Sequence, residues 1–510
     1  MRPSRLPIVS LQCFIEATRD SGYKGTSAAI AELVDNAFEA KAKLVTIDLV
    51  ESVSAEGKSV SVSVTDDGTG MPPSVLQLAM QFGGSTRFQS RTGLGRYGMG
   101  LPNGSLSQAR RVDVVSWEDP ESVWTTYLDV DEIASGRIES VPSPRRLAQK
   151  QLRPSSKSGT IVRVTRCDRL DFKRVSKLET RLIFDLGRLF RRFLLNGSSI
   201  SVNGKSIQPI DPLFLFKGQN SSGAHPFGPP LEYQVRVDAG STGRSETAIV
   251  RVLFSELPLD TWHQLSNEEK NRRGIAKGAG VSIVRAGREI DYGWFFMGSK
   301  RRENYDDWWR CEVSFPPSLD DLFGVTHTKQ KIRPTEQISG LLTPDMEQIA
   351  RELNGRVRKK YAEIRQGEMN LRSLQRLEDR DYLLEPPHPV RKSPLKPEPP
   401  SERYRLRTGA LSGLKFSIVA NATKDRAFYV PTLSSDRLLL TLNEAHPFYR
   451  KFYRVLLEKP TEDRGCMLEY LQILLMAAGR SESAAKGPRE REIIRVFRET
   501  WSDALVAFLS

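Results

Sequence analysis

The chain has 510 residues, 39% of them apolar or aromatic and 37 of them glycine. Length alone predicts about three domains at roughly 150 residues each. The composition excludes a wholly disordered or fibrous chain. Lysine plus arginine number 76 against 62 aspartate plus glutamate, a net charge of +14 that favours polyanionic partners if gathered on one face. No apolar run reaches the ~18 residues needed to cross a bilayer, and Met1-Arg2-Pro3-Ser4-Arg5 leads into no signal-type apolar core, so the expected setting is cytoplasmic, with no membrane partner. The four cysteines and five histidines are scattered, which predicts buried thiols and neither a zinc site nor a disulfide framework.

In chain order, an apolar-periodic stretch from Thr26 to Ala40 predicts a helix, and Leu44 to Leu49 with the alternating Val60, Val62 and Val64 predict strands. Thr160, Val162 and Val164 share a strand face, and Val202-Asn203-Gly204-Lys205 carries the Asn-Gly turn of a tight hairpin. The fold class is therefore α+β, a layered sheet with helices on one side. Ala248 to Phe254 and Gly280 to Arg285 read as strands of a second α/β domain. Thr343-Pro344 reads as a helix start, opening the amphipathic series Met346, Ile349, Leu353, Val357 and Ile364. The proline-rich run EPPHPVRKSPLKPEPP reads as an extended linker. Strands near Phe416 and Phe428 and helices from Pro447, Met467 and Glu490 form a C-terminal α+β unit. The expected division is 1–215, 216–342, 343–384, 385–403 and 404–510.

Three segments carry chemistry. Within AELVDNAFEA, Glu32, Asn36 and Glu39 fall on one helical stripe. A carboxylate one turn from an amide suits water activation beside magnesium, which accepts a single carbonyl oxygen and fills its shell with water and phosphate; a solvated helix face has the same spacing. In VTDDGTGM, Asp66 can accept a hydrogen bond from an exocyclic amine, and Gly68 and Gly70 let a flat ring approach the backbone before Met71; a surface turn reads alike. The third segment gathers Gly83, Gly84, Gly93, Gly95, Gly98 and Gly100 around Arg96, Tyr97 and Met99 ahead of a helix, as a phosphate-covering lid would. Gly57-Lys58-Ser59 and Gly204-Lys205-Ser206 lack the earlier glycine of a Walker loop, with Ser52 and Ser199 in its place.

Taken in order, these segments resemble the N-box, the D-x-G-x-G box and the glycine-rich lid of the GHKL ATPases, and GRYGMGLPNGSLSQA with FGVTHTKQ is most similar to MORC-type members, bacterial ones included. The resemblance implies a Bergerat-type α/β sandwich followed by an S5-like transducer domain. It implies ATP and Mg2+ as cofactors, Glu32 as general base, Asn36 as metal ligand and Asp66 as adenine contact. Gly68, Gly70, Met71 and Thr160, the last by way of Gly159-Thr160, complete the base pocket, and Gly95, Arg96, Tyr97, Gly98, Met99 and Gly100 form the lid. Lys329, with Lys331 as competitor, reaches the γ-phosphate.

None of the five histidines stands in a histidine-kinase phosphoacceptor setting. Glu39 replaces the aspartate of many relatives, and the C-terminal unit shows no DQHA-x-x-E-R endonuclease pattern. Asp129 and Asp131 read as a strand-end acidic pair. The implied function is an ATP-dependent homodimeric clamp or remodeller acting on DNA. The alternatives are a chaperone-like protein remodeller with protein partners and a subunit of a bacterial antiphage defence system. Two basic stretches, Arg145, Arg146, Lys150 and Arg153 and then Arg188, Arg191 and Arg192, are candidate DNA contacts or solvated faces.

Overall fold

The computed structural model describes residues 9–23, 25–54, 57–84, 98–148, 152, 154–216, 223–239, 244–326, 331–379, 415–423, 425–434, 437–458 and 462–509. The chain divides into two compact units, Met1–Asn354 and Gly355–Ser510. Among the described residues no helix is long and apolar enough to cross a membrane.

The first unit holds two sheets. The larger has eight strands: β1 (Leu44–Ser54), β2 (Gly57–Asp66), β3 (Ala109–Trp117), β4 (Val123–Asp129), β5 (Arg145–Arg146), β6 (Gly159–Cys167), β7 (Ser199–Val202) and β8 (Lys205–Ser206), in the order β5-β4-β3-β6-β2-β1-β7-β8. All pairings are antiparallel except β1 with β7. The β7–β8 turn is Asn203-Gly204 with φ of 47° and 76°, the positive pair that a two-residue hairpin demands. Helices α1 (Leu11–Ser21), α2 (Thr26–Glu39), α3 (Pro73–Ala79), α4 (Gly100–Leu106), α5 (Val130–Ala134), α6 (Val175–Leu189) and α7 (Arg191–Leu195) belong with this sheet. In α6 the leucines at 178, 182 and 186 recur every fourth residue and are fully buried against the sheet with Val45, Ile47 and Ile200. Helix α2 is buried on nearly all sides, including at Glu32 and Asp35.

The second sheet contains β9 (His225–Pro226), β10 (Leu231–Ala239), β11 (Arg244–Glu256), β12 (Val281–Arg285), β13 (Arg288–Gly293) and β14 (Trp309–Phe315), in the order β10-β11-β14-β12-β13 with β9 on β11. Val281, Ile283, Trp309, Cys311, Val313 and Phe315 face a core shared with Ile338, Leu342, Met346, Ala350 and Leu353. Those last residues lie on one helix, Glu336–Glu378, which starts two turns before the expected Thr343 and carries Pro344 inside it. Burial of Ile338 and Leu342 outweighs the hydrogen bond that Pro344 cannot make.

The second unit has a three-stranded sheet of β15 (Phe416–Asn421), β16 (Tyr429–Ser434) and β17 (Arg437–Asn443), in the order β15-β17-β16. Leu438, Leu440 and Leu442 alternate inward from β17 onto Leu468, Leu475 and Met476.

Some expectations change. Cys13 is exposed rather than buried. Arg188, Arg191 and Arg192 are neither a solvated face nor a free basic patch: Arg191 is 1% exposed and pairs with Glu289 at 2.9 Å and Glu312 at 2.5 Å, Arg188 pairs with Glu289 at 2.7 Å, and Arg192 pairs with Glu312. Of the first basic stretch, Arg145 and Arg146 are exposed, while Lys150 and Arg153 lie outside the described residues. Asp129 is structural: it caps α5 by accepting from the N–H of Asp131 and Glu132 and pairs with Arg166.

Candidate functional site

Helix α2 is pinned at its start by the fold rather than by its own N-cap. The Thr26 N–H donates to Asp171 Oδ2 at 2.7 Å and its hydroxyl contacts Gln108 Oε1 at 2.9 Å. Two turns in, Glu32 is 3% exposed. A Cβ built on Gly100 would stand 2.5 Å from Glu32 Oε1, so the absent side chain is what lets the third segment touch the first. Burial and the Glu32 charge push the Tyr23 phenol well above its ordinary value. Tyr23 therefore stays protonated and donates to Glu32. Asn36 follows one turn on, half-buried on the same stripe.

Asp66 ends β2 opposite Thr160 on β6. Its Oδ1 accepts the Gly68 N–H at 2.8 Å. Burial pushes its carboxyl up to about 6, while the N–H groups of Gly68 and Thr160 pull the other way. Gly70 has φ of 72° and sits on the Trp117 carbonyl, where an added Cβ would stand 2.0 Å from the oxygen. Beside it, the Met71 N–H donates to Ser116 Oγ at 2.9 Å, and that hydroxyl lies 3.0 Å from Thr160 Oγ1 and 3.1 Å from the Gly159 carbonyl.

The third segment enters through Gly98, with φ of 64°, whose carbonyl accepts the Gly83 N–H at 3.1 Å. Met99 caps α4, and Gly104 of α4 packs on the Ala29 carbonyl of α2. At the other end of α2, the Ala40 carbonyl accepts the Thr69 N–H at 2.9 Å, and Gly68 is pressed against Ala40. Glu32 and Ala40 are eight residues apart, about 12 Å along a helix at ~1.5 Å per residue. The fold thus brings Glu32, Asn36, Asp66, Gly68, Gly70, Met71, Gly98, Met99, Gly100 and Thr160 around one helix. Gly95, Arg96, Tyr97 and Lys329 lie outside the described residues; Lys331 is exposed, and its charge helps hold down the carboxyl of Asp291 against the rise that burial causes.

Tyr23, Ser116 and Arg288 escaped sequence reasoning. Arg288 is 3% exposed on β13, and its Nε lies 2.9 Å from Asp35 Oδ1. A serine in an alternating strand, a tyrosine before a helix and an arginine in a hairpin carry no local signal; only the tertiary fold gathers them.

Chemically, the arrangement offers a buried carboxylate midway along α2, against the glycine that opens α4, and a hydrogen-bond acceptor, Asp66, beyond the C-terminal end of α2. Asn36 supplies an amide oxygen beside Glu32, a hard-oxygen set that fits magnesium completed by water and phosphate. Among the described residues no group of three His, Cys, Asp or Glu forms a metal site.

The helices and the eight-stranded sheet make an α+β domain. Residues 23–160 match the family model described as histidine kinase-, DNA gyrase B-, and HSP90-like ATPase. Over that segment the chain resembles GHKL-type ATPase domains, MORC-type ones among them. ATPase morc-1 of Caenorhabditis elegans is 35% identical over 95 residues, which cover 19% of this chain and 10% of that protein. The match therefore spans about a tenth of the relative's length. Among solved structures, the N-terminal domain of a DNA repair protein aligns with a TM-score of 0.40 and 16% identity, covering 66% of this chain and 98% of that one.

Proposed function

We propose that the chain binds and hydrolyses ATP with magnesium, and that closure around the nucleotide gates a homodimeric clamp or remodeller acting on DNA. The observation that carries the nucleotide reading is the contact of Gly100 with the Glu32 carboxylate midway along α2, with Asp66, Ser116 and Thr160 grouped beyond its C-terminal end. In this reading Asp66 accepts from the adenine amine and Thr160 supports it. Gly68, Gly70 and Met71 line the ring, and the lid glycines cover the phosphates. Glu32, steadied by Tyr23, orients the attacking water and takes its proton. Asn36 would hold magnesium, which would supply positive charge against the phosphates. Lys329 or Lys331 brings an ammonium to the γ-phosphate, coupling the second sheet, read as the S5-like transducer, to nucleotide state.

Glu32→Ala is expected to lower ATP turnover at least about 100-fold while nucleotide affinity changes little. Turnover and equilibrium binding check it, and undiminished hydrolysis by the variant would remove Glu32 from the mechanism. The dimer and DNA parts rest on the family likeness and the net charge of +14. Given ATP and magnesium, Glu32→Ala protein should double in mass and hold circular DNA through a salt wash that releases linear DNA. Persistent monomers would defeat the clamp, and dimers indifferent to DNA would point to a protein client.

A further inference from the structure

The second sheet turns a charged face to the first domain, and those charges are sorted. Arg285 and Arg288 close a two-residue turn, Ala286-Gly287, in which both φ values are positive, at 49° and 86°. A register shift follows, and the consecutive residues Arg288 and Glu289 are both buried. Glu289 takes Arg188 and Arg191 and the Ser282 hydroxyl; Glu312 on β14 takes Arg191 and Arg192. These pairs bolt the sheet to α6 and α7. Arg288 goes elsewhere: it passes over the Phe190 ring, 5.7 Å from its centroid, to pair with Asp35.

Asp35 is fully buried, three residues after Glu32 and one before Asn36. The charges of Glu32, Arg288 and Asp35 all act on the Tyr23 phenol, which puts the four groups in one buried cluster. An ion pair in such a place is a poor source of stability, because desolvation offsets most of its attraction and apolar residues of like volume serve as well. Its placement is what distinguishes it: a shift of the sheet that moves Arg288 pulls on the turn of α2 carrying both Glu32 and Asn36.

We propose that Arg288 is a positioning residue for ATP hydrolysis, acting through Asp35 to hold the Glu32–Asn36 turn of α2 in register, so that turnover depends on how the second sheet is seated. The inference rests on the ATPase reading above. A misplacement of about 1 Å is enough to slow a positioned reaction severalfold to a hundredfold without loosening the substrate.

The test uses the full chain and compares wild type with Asp35→Asn/Arg288→Gln, which removes both charges and strands neither, and with Arg288→Lys, which keeps the charge and loses the planar fork. Steady-state kcat and KM for ATP are read per folded molecule, the folded fraction coming from thermal melting. The expected result is a kcat about tenfold lower in the double variant and about threefold lower in Arg288→Lys, with KM within about threefold of wild type in both. Wild-type kcat per folded molecule in both variants would overturn the inference, whatever their melting temperatures. So would a loss confined to KM. A wild-type chain without turnover overturns the ATPase reading and this inference with it; an active wild type matched by its variants overturns the inference alone.

Discussion

Asp35 and Asp66 are buried in the same domain and meet burial in opposite ways. Asp35 lies beside the Arg288 guanidinium, charge against charge. Asp66 has the N–H groups of Gly68 and Thr160, and among the described residues no cation pairs with it; its carboxyl rises to about 6. A buried carboxylate answered by a cation is finished as part of the scaffold. One answered only by backbone dipoles keeps spare acceptor capacity, and burial of its charge costs stability.

The largest effect that sharpens this contrast is Arg288→Met, which leaves Asp35 buried beside an apolar chain. It should lose about 3–5 kcal/mol of stability, read by denaturant unfolding; a loss under about 1 kcal/mol would show that other contacts carry Asp35.

Asp66→Asn should behave in the reverse sense. A carboxyl raised from 3.8 to about 6 weakens the native state by about 3 kcal/mol once fully ionised. The folded state binds the proton more tightly, so stability falls as pH rises from about 4 to about 6 and stays lowered above that. The asparagine variant is therefore expected to gain about 2 kcal/mol at pH 8 and nothing at pH 4, while ATP affinity drops at least about tenfold. A variant that is less stable at pH 8 would put Asp66 in the scaffold with Asp35. In the wild type, the same titration predicts that ATP affinity falls as pH drops below about 6.

Gly100→Ala has the smallest expected effect on stability. Its methyl would meet the Glu32 carboxylate at 2.5 Å and push it aside, so turnover should fall about tenfold or more with melting nearly unchanged. Unchanged turnover would mean that Glu32 has room to spare.

Local patterns carried much of this in the sequence. The periodicity of Thr26 to Ala40, the alternation of Val60, Val62 and Val64 and the Asn203-Gly204 turn each express one element, and each forms. The three glycine and carboxylate segments stand out locally by residue type, and the structure brings their described residues together around α2. What escaped depends on distant partners. Arg188, Arg191 and Arg192 look like a basic patch until Glu289 and Glu312, about a hundred residues on, are folded against them. The helix beginning at Glu336 hides behind Pro344, because the gain comes from a sheet against which Ile338 and Leu342 are packed. Ser116 and Tyr23 became visible only as neighbours of Thr160 and Glu32.

The shifted hairpin of β12 and β13 also guards against misalignment. Advance that strand by one position and Glu289 confronts Asp35 while Ile290 is offered to Arg191; retard it and Arg288 meets Arg191 while Gly287 is left before Asp35. Either slip strands buried charges, at several kcal/mol apiece, so the two halves of the domain pair can dock in one alignment and are refused in its nearest neighbours.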